Sequence, residues 1–128
     1  MGEKLIAALL GSEDRRIMLA RFCEEKGIVL RLISPRELGC TVGYVCGVTG
    51  YESAEAKASP EAPKECLIFS GFDGSELQET VAELKSIGLY VPLKAVCTEA
   101  NLSWTVGGLI GELIREHEYM KQRTERDK

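Results

Sequence analysis

Residues 41–47 read T-V-G-Y-V-C-G, and residues 105–111 read T-V-G-G-L-I-G. The shared pattern stands at matching points of two similar segments, and Gly27 and Gly88 each follow the first predicted helix of their segment. Self-similarity of this kind indicates an internal repeat. We therefore predict one domain, residues 1–128, composed of a first repeat over about 4–48, a linker over about 49–65, a second repeat over about 66–117 and a charged tail over 118–128.

Each repeat has the pattern strand, helix, strand, helix. In the first, apolar runs at 5–10 and 28–33 flank a segment whose apolar residues recur at helical spacing, and a short helix follows at about 41–48. Crossover connections between parallel strands are right-handed. The pattern therefore predicts an α/β fold: two β-α-β-α repeats forming a small, mostly parallel four-stranded sheet with helices packed on it. The order of the strands is left open.

In the second repeat, strands are predicted at 66–69 and 89–96, with a helix that opens at Asp73 between them. Pro92 lies inside the last predicted strand, and because proline cannot donate a backbone hydrogen bond it favours an edge position or a bulge. The final helix is predicted to begin at Asn101 or Ser103 and to fray past His117, where the chain becomes polar.

Four glycines recur inside the second helix of the two repeats, at positions 43, 47, 107 and 111. Glycine in a helix interior costs about 1 kcal/mol relative to alanine. Their recurrence favours a backbone packed too closely for side chains, and weak helix ends are the alternative.

Composition narrows the class of protein. The 128 residues are 45% hydrophobic and 28% charged, which is typical of a single globular domain. The net charge of −4, without a basic stripe, argues against nucleic acid as the partner. The N-terminal apolar run is too short for a signal peptide or a membrane span, so no membrane contact is expected. The five cysteines show no zinc-site spacing, which favours reduced thiols and a cytoplasmic location.

The segment from Thr98 to Thr105 is the predicted contact loop. The second repeat is longer than the first before its T-V-G motif, and we place the additional length in this loop. There the only tryptophan, Trp104, stands beside polar side chains, those of Thr98, Glu99, Asn101, Ser103 and Thr105. If this loop is a contact surface, we expect Asn101 and Glu99 to reach solvent and Trp104 to be at least partly buried. The alternative is structural: Asn101 or Ser103 caps a helix and Trp104 packs into the core.

Enzymatic patterns are weak. The single histidine, His117, lies too far along the final helix to serve the Trp104 loop, and we read it as a helix C-terminal residue. The glycine-containing turns lack the residues of phosphate or dinucleotide loops. Asp73, Glu76 and Glu99 could meet around magnesium, but acidic first turns are common in ordinary helices. We predict no catalytic residue, metal or cofactor, and leave the roles of Cys40 and Cys46 open.

The stretch L-K-A-V-C-T-E-A-N-L-S-W-T-V contains a T-x-x-N-x-x-W motif at residues 98–104, and a predicted helix that ends in Glu116-His117 follows it. On these motifs, residues 66–118 resemble a bacterial domain-of-unknown-function family, number 3783. No activity is assigned to that family, so the resemblance implies no catalytic residue. The sequence departs from the family's Glu-rich helix by placing Gly107, Gly108 and Gly111 there.

These observations favour a non-catalytic binding or protein-interaction domain that uses the contact loop. The alternative is a small-ligand-binding or enzymatic domain in which the same loop acts with Asp73, Ser75 and Glu99. A polar pocket at the carboxyl ends of the strands would favour the alternative, and a flat or apolar patch would favour the interaction domain. The partner is thus a protein or a small molecule, and a homo-oligomer is left open.

Overall fold

The structure is a computed structural model that describes residues 4–51 and 65–126, with side chains up to residue 120. Most of the predicted linker and the end of the predicted tail therefore lie outside the described residues. The elements, in chain order, are β1 (Leu5–Leu9), α1 (Glu13–Lys26), β2 (Val29–Leu32), α2 (Val42–Val45), β3 (Cys66–Ser70), α3 (Gly74–Ser86), β4 (Leu93–Val96) and α4 (Val106–Arg126). The α/β class is confirmed.

The four strands form one mixed sheet in the order β2-β1-β3-β4. The outer pairs, β1 with β2 and β3 with β4, are parallel, but the central pair of β1 and β3 is antiparallel. The prediction of a mostly parallel sheet is therefore corrected at its centre. The two predicted repeats, here called the first and second units, run in opposite directions. The carboxyl ends of β1 and β2 therefore lie at one end of the sheet, and those of β3 and β4 lie at the other end. The loops that follow β1 and β3 therefore lie at opposite ends of the sheet and cannot line one shared pocket.

Alternating residues of the strands enter two separate cores, as the two-residue period of a strand requires. Ile6 and Ala8 of β1 face a core that α1 and α3 cover, whereas Ala7 and Leu9 face a core that α2 and α4 cover. The first helix of each unit, α1 and α3, therefore packs on one face of the sheet, and the second helix of each unit, α2 and α4, packs on the other. The ends of the two units, with the T-V-G motifs, meet on the other face.

The helices α1 and α3 begin and end in similar ways. The side chain of Ser12 accepts a hydrogen bond from Arg15 N at the start of α1, and Asp73 forms a capping box with Glu76 at the start of α3. Gly27 and Gly88 follow the two helices with positive φ angles of 70° and 87°, a conformation that glycine adopts at little cost. The predicted terminating role of these two glycines agrees with this geometry.

The last strand is shorter than predicted, because β4 comprises only Leu93–Val96. Pro92 precedes it and cannot donate to the ladder, while Leu89 and Val91 are buried against the core beneath α1 and α3. Leu93 pairs with Cys66 as Val29 pairs with Leu5. The additional residues of the second unit therefore lie between Gly88 and β4. The prediction that they lengthen the contact loop is wrong.

The final helix begins at Val106 and continues to Arg126. Its start is later than predicted, because the hydroxyl of Thr105 accepts a hydrogen bond from Gly108 N at 3.0 Å and neither Asn101 nor Ser103 caps it. The backbone remains helical past His117, so the predicted fraying and the helix C-terminal reading of His117 are corrected. His117 instead lies beside Glu116 and Met120 in a shallow groove between α4 and β4.

Candidate functional site

Two loops of equal length carry the chain from the edge strands to the T-V-G motifs. Residues 33–40 connect β2 to Thr41, and residues 97–104, which hold most of the contact loop, connect β4 to Thr105. Thr41 and Thr105 pair in an antiparallel bridge. Reciprocal hydrogen bonds tie the loops together: Val42 N to Trp104 O (2.8 Å), Val106 N to Cys40 O (2.8 Å), Gly43 N to Leu102 O (2.9 Å) and Gly107 N to Leu38 O (2.8 Å).

Asn101 holds the contact loop from within. Its side-chain oxygen accepts a hydrogen bond from Thr98 N at 2.9 Å, and its side-chain nitrogen donates to Val96 O at 3.0 Å. The residue is only 9% exposed, so the prediction that Asn101 reaches solvent is wrong. Its own carbonyl oxygen accepts from Trp104 N at 3.0 Å. The T-x-x-N-x-x-W spacing thus describes one closed loop whose threonine and tryptophan backbones both bind the asparagine.

Glu37 takes the corresponding place in the first unit, and the sequence analysis missed it. Its carboxylate accepts hydrogen bonds from Ser34 N at 3.0 Å and from both terminal nitrogens of Arg31 at 3.0 and 2.5 Å. The Arg31 guanidinium lowers the pKa of Glu37 below its ordinary value, and the Ser34 N–H acts in the same direction against the effect of burial. The repeat could have indicated this role, because Glu37 and Asn101 stand the same number of residues before their T-V-G motifs.

The two loops differ in exposure at Trp104. Its counterpart Cys40 is 3% exposed, whereas Trp104 is 43% exposed, although both carbonyl oxygens accept equivalent hydrogen bonds. Thr98, Glu99, Ser103 and Thr105 are also exposed. The contact loop therefore presents an indole and several polar groups on a backbone that the hydrogen bonds of Asn101 and the partner loop hold in place.

The remaining candidates, Asp73, Ser75 and Glu76, lie at the start of α3. The side chain of Asp73 accepts from Glu76 N at 2.8 Å as a helix cap, Glu76 forms an ion pair with Lys4, and Ser75 is exposed. Among the side chains described, no group of three or more His, Cys, Asp or Glu could hold a metal ion. Asp73, Glu76 and Glu99, all of them described, therefore do not form a magnesium site in the structure.

All five cysteines are described, and none of them forms a disulfide. Burial raises the pKa of Cys66 to about 12 and that of Cys23 to about 11. Burial, together with the neighbouring Cys97, raises the pKa of Cys46 to about 12. These three thiols are therefore protonated at neutral pH and are poor nucleophiles. Cys40 is buried in the core that α2 and α4 cover.

The glycines of the two T-V-G motifs have different roles. A Cβ atom on Gly43 would lie 2.6 Å from the ring of Tyr51, and one on Gly107 would lie 3.2 Å from the carbonyl oxygen of Leu38. Gly47 instead has a positive φ of 76°, and a Cβ on Gly111 would meet nothing within 4 Å. The close-packing prediction therefore holds for the glycine of each T-V-G triplet and fails for the later glycine of each motif.

Comparison with known proteins gives one match, to a family model that covers part of the chain. No curated protein and no solved structure matches the chain at a significant level. None of the described helices is both long and apolar enough to cross a membrane. Residues 65–120, which include β3, α3, β4, the contact loop and most of α4, match the family model described as Domain of unknown function (DUF3783).

Proposed function

We propose that this protein is a non-catalytic interaction domain that binds another protein through the contact loop, with Trp104 as the anchoring side chain. The observation that carries the proposal is the difference between Trp104 and Cys40. Equivalent backbones present a buried thiol in one unit and a 43% exposed indole in the other. An exposed tryptophan in a pre-organised loop is typical of the residues that dominate protein–protein binding energy, because little conformational entropy is lost on binding.

The chemistry of the loop indicates the kind of surface that it fits. The indole needs an apolar pocket, and Thr98, Ser103 and Thr105 supply exposed hydroxyls around it. Glu99 is the only charged residue from Thr98 to Thr105. We therefore expect an apolar pocket with a lysine or arginine at its rim on the partner, and a second copy of this chain is one partner that the experiment below detects.

We also propose that the two units are copies of one β-α-β-α ancestor and that the protein works in the cytoplasm. The copies are supported by the reciprocal hydrogen bonds between the loops and by the symmetric pairing of β1 with β3, in which Leu5 faces Ser70 and Leu9 faces Cys66. The cytoplasm is supported by Cys46 and Cys97, which are in contact and yet both free, as a reducing compartment allows.

The test compares affinity capture of partners by the tagged full chain, by Trp104→Ala and by Tyr90→Ala. Tyr90 is a matched control, since it is an exposed aromatic residue (53%) outside the contact loop. Proteins captured by the parent and by Tyr90→Ala, but lost with Trp104→Ala, support the proposal. Light scattering of the purified chain identifies a second copy as the partner. Retention of the same proteins by a folded Trp104→Ala variant contradicts the proposal.

A further inference from the structure

A cleft of 530 Å³ lies at the carboxyl ends of β1 and β2. The contact loop follows β4, whose carboxyl end lies at the opposite end of the sheet. Its walls include the apolar residues Leu32, Ile33 and Pro35 and the polar residues Arg16, Ser34 and Glu65. The volume falls within the range of small-molecule pockets, about 300 to 1,000 Å³. The cleft is thus separate from the contact loop and large enough to hold a ligand of its own.

The second unit carries different side chains at the corresponding positions. Because β1 corresponds to β3 and the cap Ser12 to the cap Asp73, Gly11 corresponds to Phe72 and Arg16 to Leu77. Phe72 packs edge-on against Phe69 with the ring centres 5.5 Å apart, and Leu77 packs against the same core. At these two positions the first unit has a glycine and an arginine. The second unit has two apolar side chains there, and both pack inward.

Two charged side chains of the described residues line the cleft, those of Arg16 and Glu65, and Glu65 is paired with Arg15. The carboxylate of Glu65 is already engaged, since it accepts hydrogen bonds from Gly11 N at 2.8 Å and Arg15 Nε at 2.9 Å and forms an ion pair with Arg15 Nη2 at 2.9 Å. Burial acts to raise the pKa of Glu65, but the Gly11 N–H and the Arg15 guanidinium lower it overall, so the group is ionised at neutral pH. The charges of Glu65 and Arg15 therefore compensate each other.

Arg16 is half-buried, and among the described residues its side chain donates one hydrogen bond, from Nη1 to Leu10 O at 2.9 Å. None of the ion pairs within the described residues includes it. A guanidinium has five N–H donors arranged to match a carboxylate. Within the described part of the chain, Arg16 therefore offers a cation without an ion-pair partner, and further donors, beside an apolar wall.

We propose that this cleft binds a small free carboxylic acid with an apolar body, the carboxylate on Arg16 and the body against Leu32, Ile33 and Pro35. A single negative charge fits better than a phosphate dianion, because Arg16 is the one cationic side chain among the described residues that line the cleft. The site is independent of the proposed protein interaction, since none of its residues belongs to the contact loop.

The test is calorimetric titration of the full chain with two free acids, isocaproate and phenylacetate, and with the amide of each. We expect the acids to bind and the amides to bind at least about tenfold more weakly, a difference of about 1.4 kcal/mol. A tetrapeptide that ends in leucine forms a further arm, and binding of the peptide without the free acids would overturn the assignment to small acids. Absence of acid binding, or equal binding of acid and amide, would also overturn it.

Variants locate the site. Arg16→Gln should weaken acid binding about tenfold or more, whereas Arg21→Gln, which removes the same charge from an exposed position of α1, should leave it unchanged. If Arg16→Gln does not fold, Leu32→Glu gives the same test, because Leu32 is exposed and a carboxylate there should repel the acid to a similar extent. Unchanged acid binding in whichever of these two variants folds would refute the site.

Discussion

The loops 33–40 and 97–104 have the same length and exchange the same backbone hydrogen bonds, yet different side chains hold them closed. A carboxylate, Glu37, does this in the first loop with the help of Arg31, and a neutral amide, Asn101, does it in the second. Ala95 occupies the position that corresponds to Arg31, so the second loop has no cation there. The backbone arrangement therefore does not require a particular charge. The equivalent N–H groups of Ser34 and Thr98 are bound by a carboxylate in the first loop and by an amide oxygen in the second.

The largest effect is expected for Asn101→Ala. The substitution leaves the Thr98 N–H and the Val96 carbonyl without their side-chain partner at two part-buried hydrogen bonds, and we expect a loss of about 2–3 kcal/mol in the free energy of unfolding. Urea denaturation measures it, with Ser103→Ala in the same loop as the control, expected to change stability by less than about 0.5 kcal/mol. A loss below about 1 kcal/mol in Asn101→Ala would show that the amide does not hold the loop.

A smaller, pH-dependent effect is expected for Glu37→Gln, about 1–2 kcal/mol at neutral pH. Because the pKa of Glu37 is lowered in the folded protein, its contribution is present above its ordinary pKa of 4.5 and is lost as the pH falls through the folded value. The stability difference between the parent and Glu37→Gln should therefore shrink in acid. Glu99→Gln, which removes an exposed carboxylate from the other loop, should show no such difference. Denaturant unfolding from neutral to acid pH measures both, and a difference for Glu37→Gln that stays constant in acid would contradict the account.

The fold was predictable where one local signal was sufficient. The apolar runs, the Asp73 cap and the terminating glycines indicated most elements of each unit, because their physics is local. The antiparallel centre of the sheet was not predictable, since a strand of four or five residues carries no mark of its neighbour's direction. Asn101 was misread for a different reason: an asparagine before a helix is commonly the cap of that helix, whereas here the side chain binds backwards along the chain, to Thr98 and Val96.

The smallest effects are expected for two glycines of α4, with opposite signs. Gly107→Ala places a Cβ 3.2 Å from a backbone oxygen that cannot easily move, so stability should fall by about 1 kcal/mol. Gly111→Ala meets open space in a helix interior and should raise stability by about 0.5–1 kcal/mol. Thermal denaturation of both variants distinguishes them. Changes of the same sign would mean that the close approach of Gly107 to the first loop does not limit side-chain size.

The central claim is that Trp104, unlike its counterpart Cys40, is a surface anchor and not part of the core. As the only tryptophan in the chain, it reports its own environment through its fluorescence. Quenching by acrylamide, measured in dilute native protein and in the urea-unfolded chain, tests the claim directly. We predict that the native indole is quenched to a large fraction of the unfolded value, and that Trp104→Ala lowers the free energy of unfolding by no more than about 1 kcal/mol. A native indole shielded from acrylamide, with a loss of about 3–5 kcal/mol in Trp104→Ala, would instead place Trp104 in the core and contradict the account.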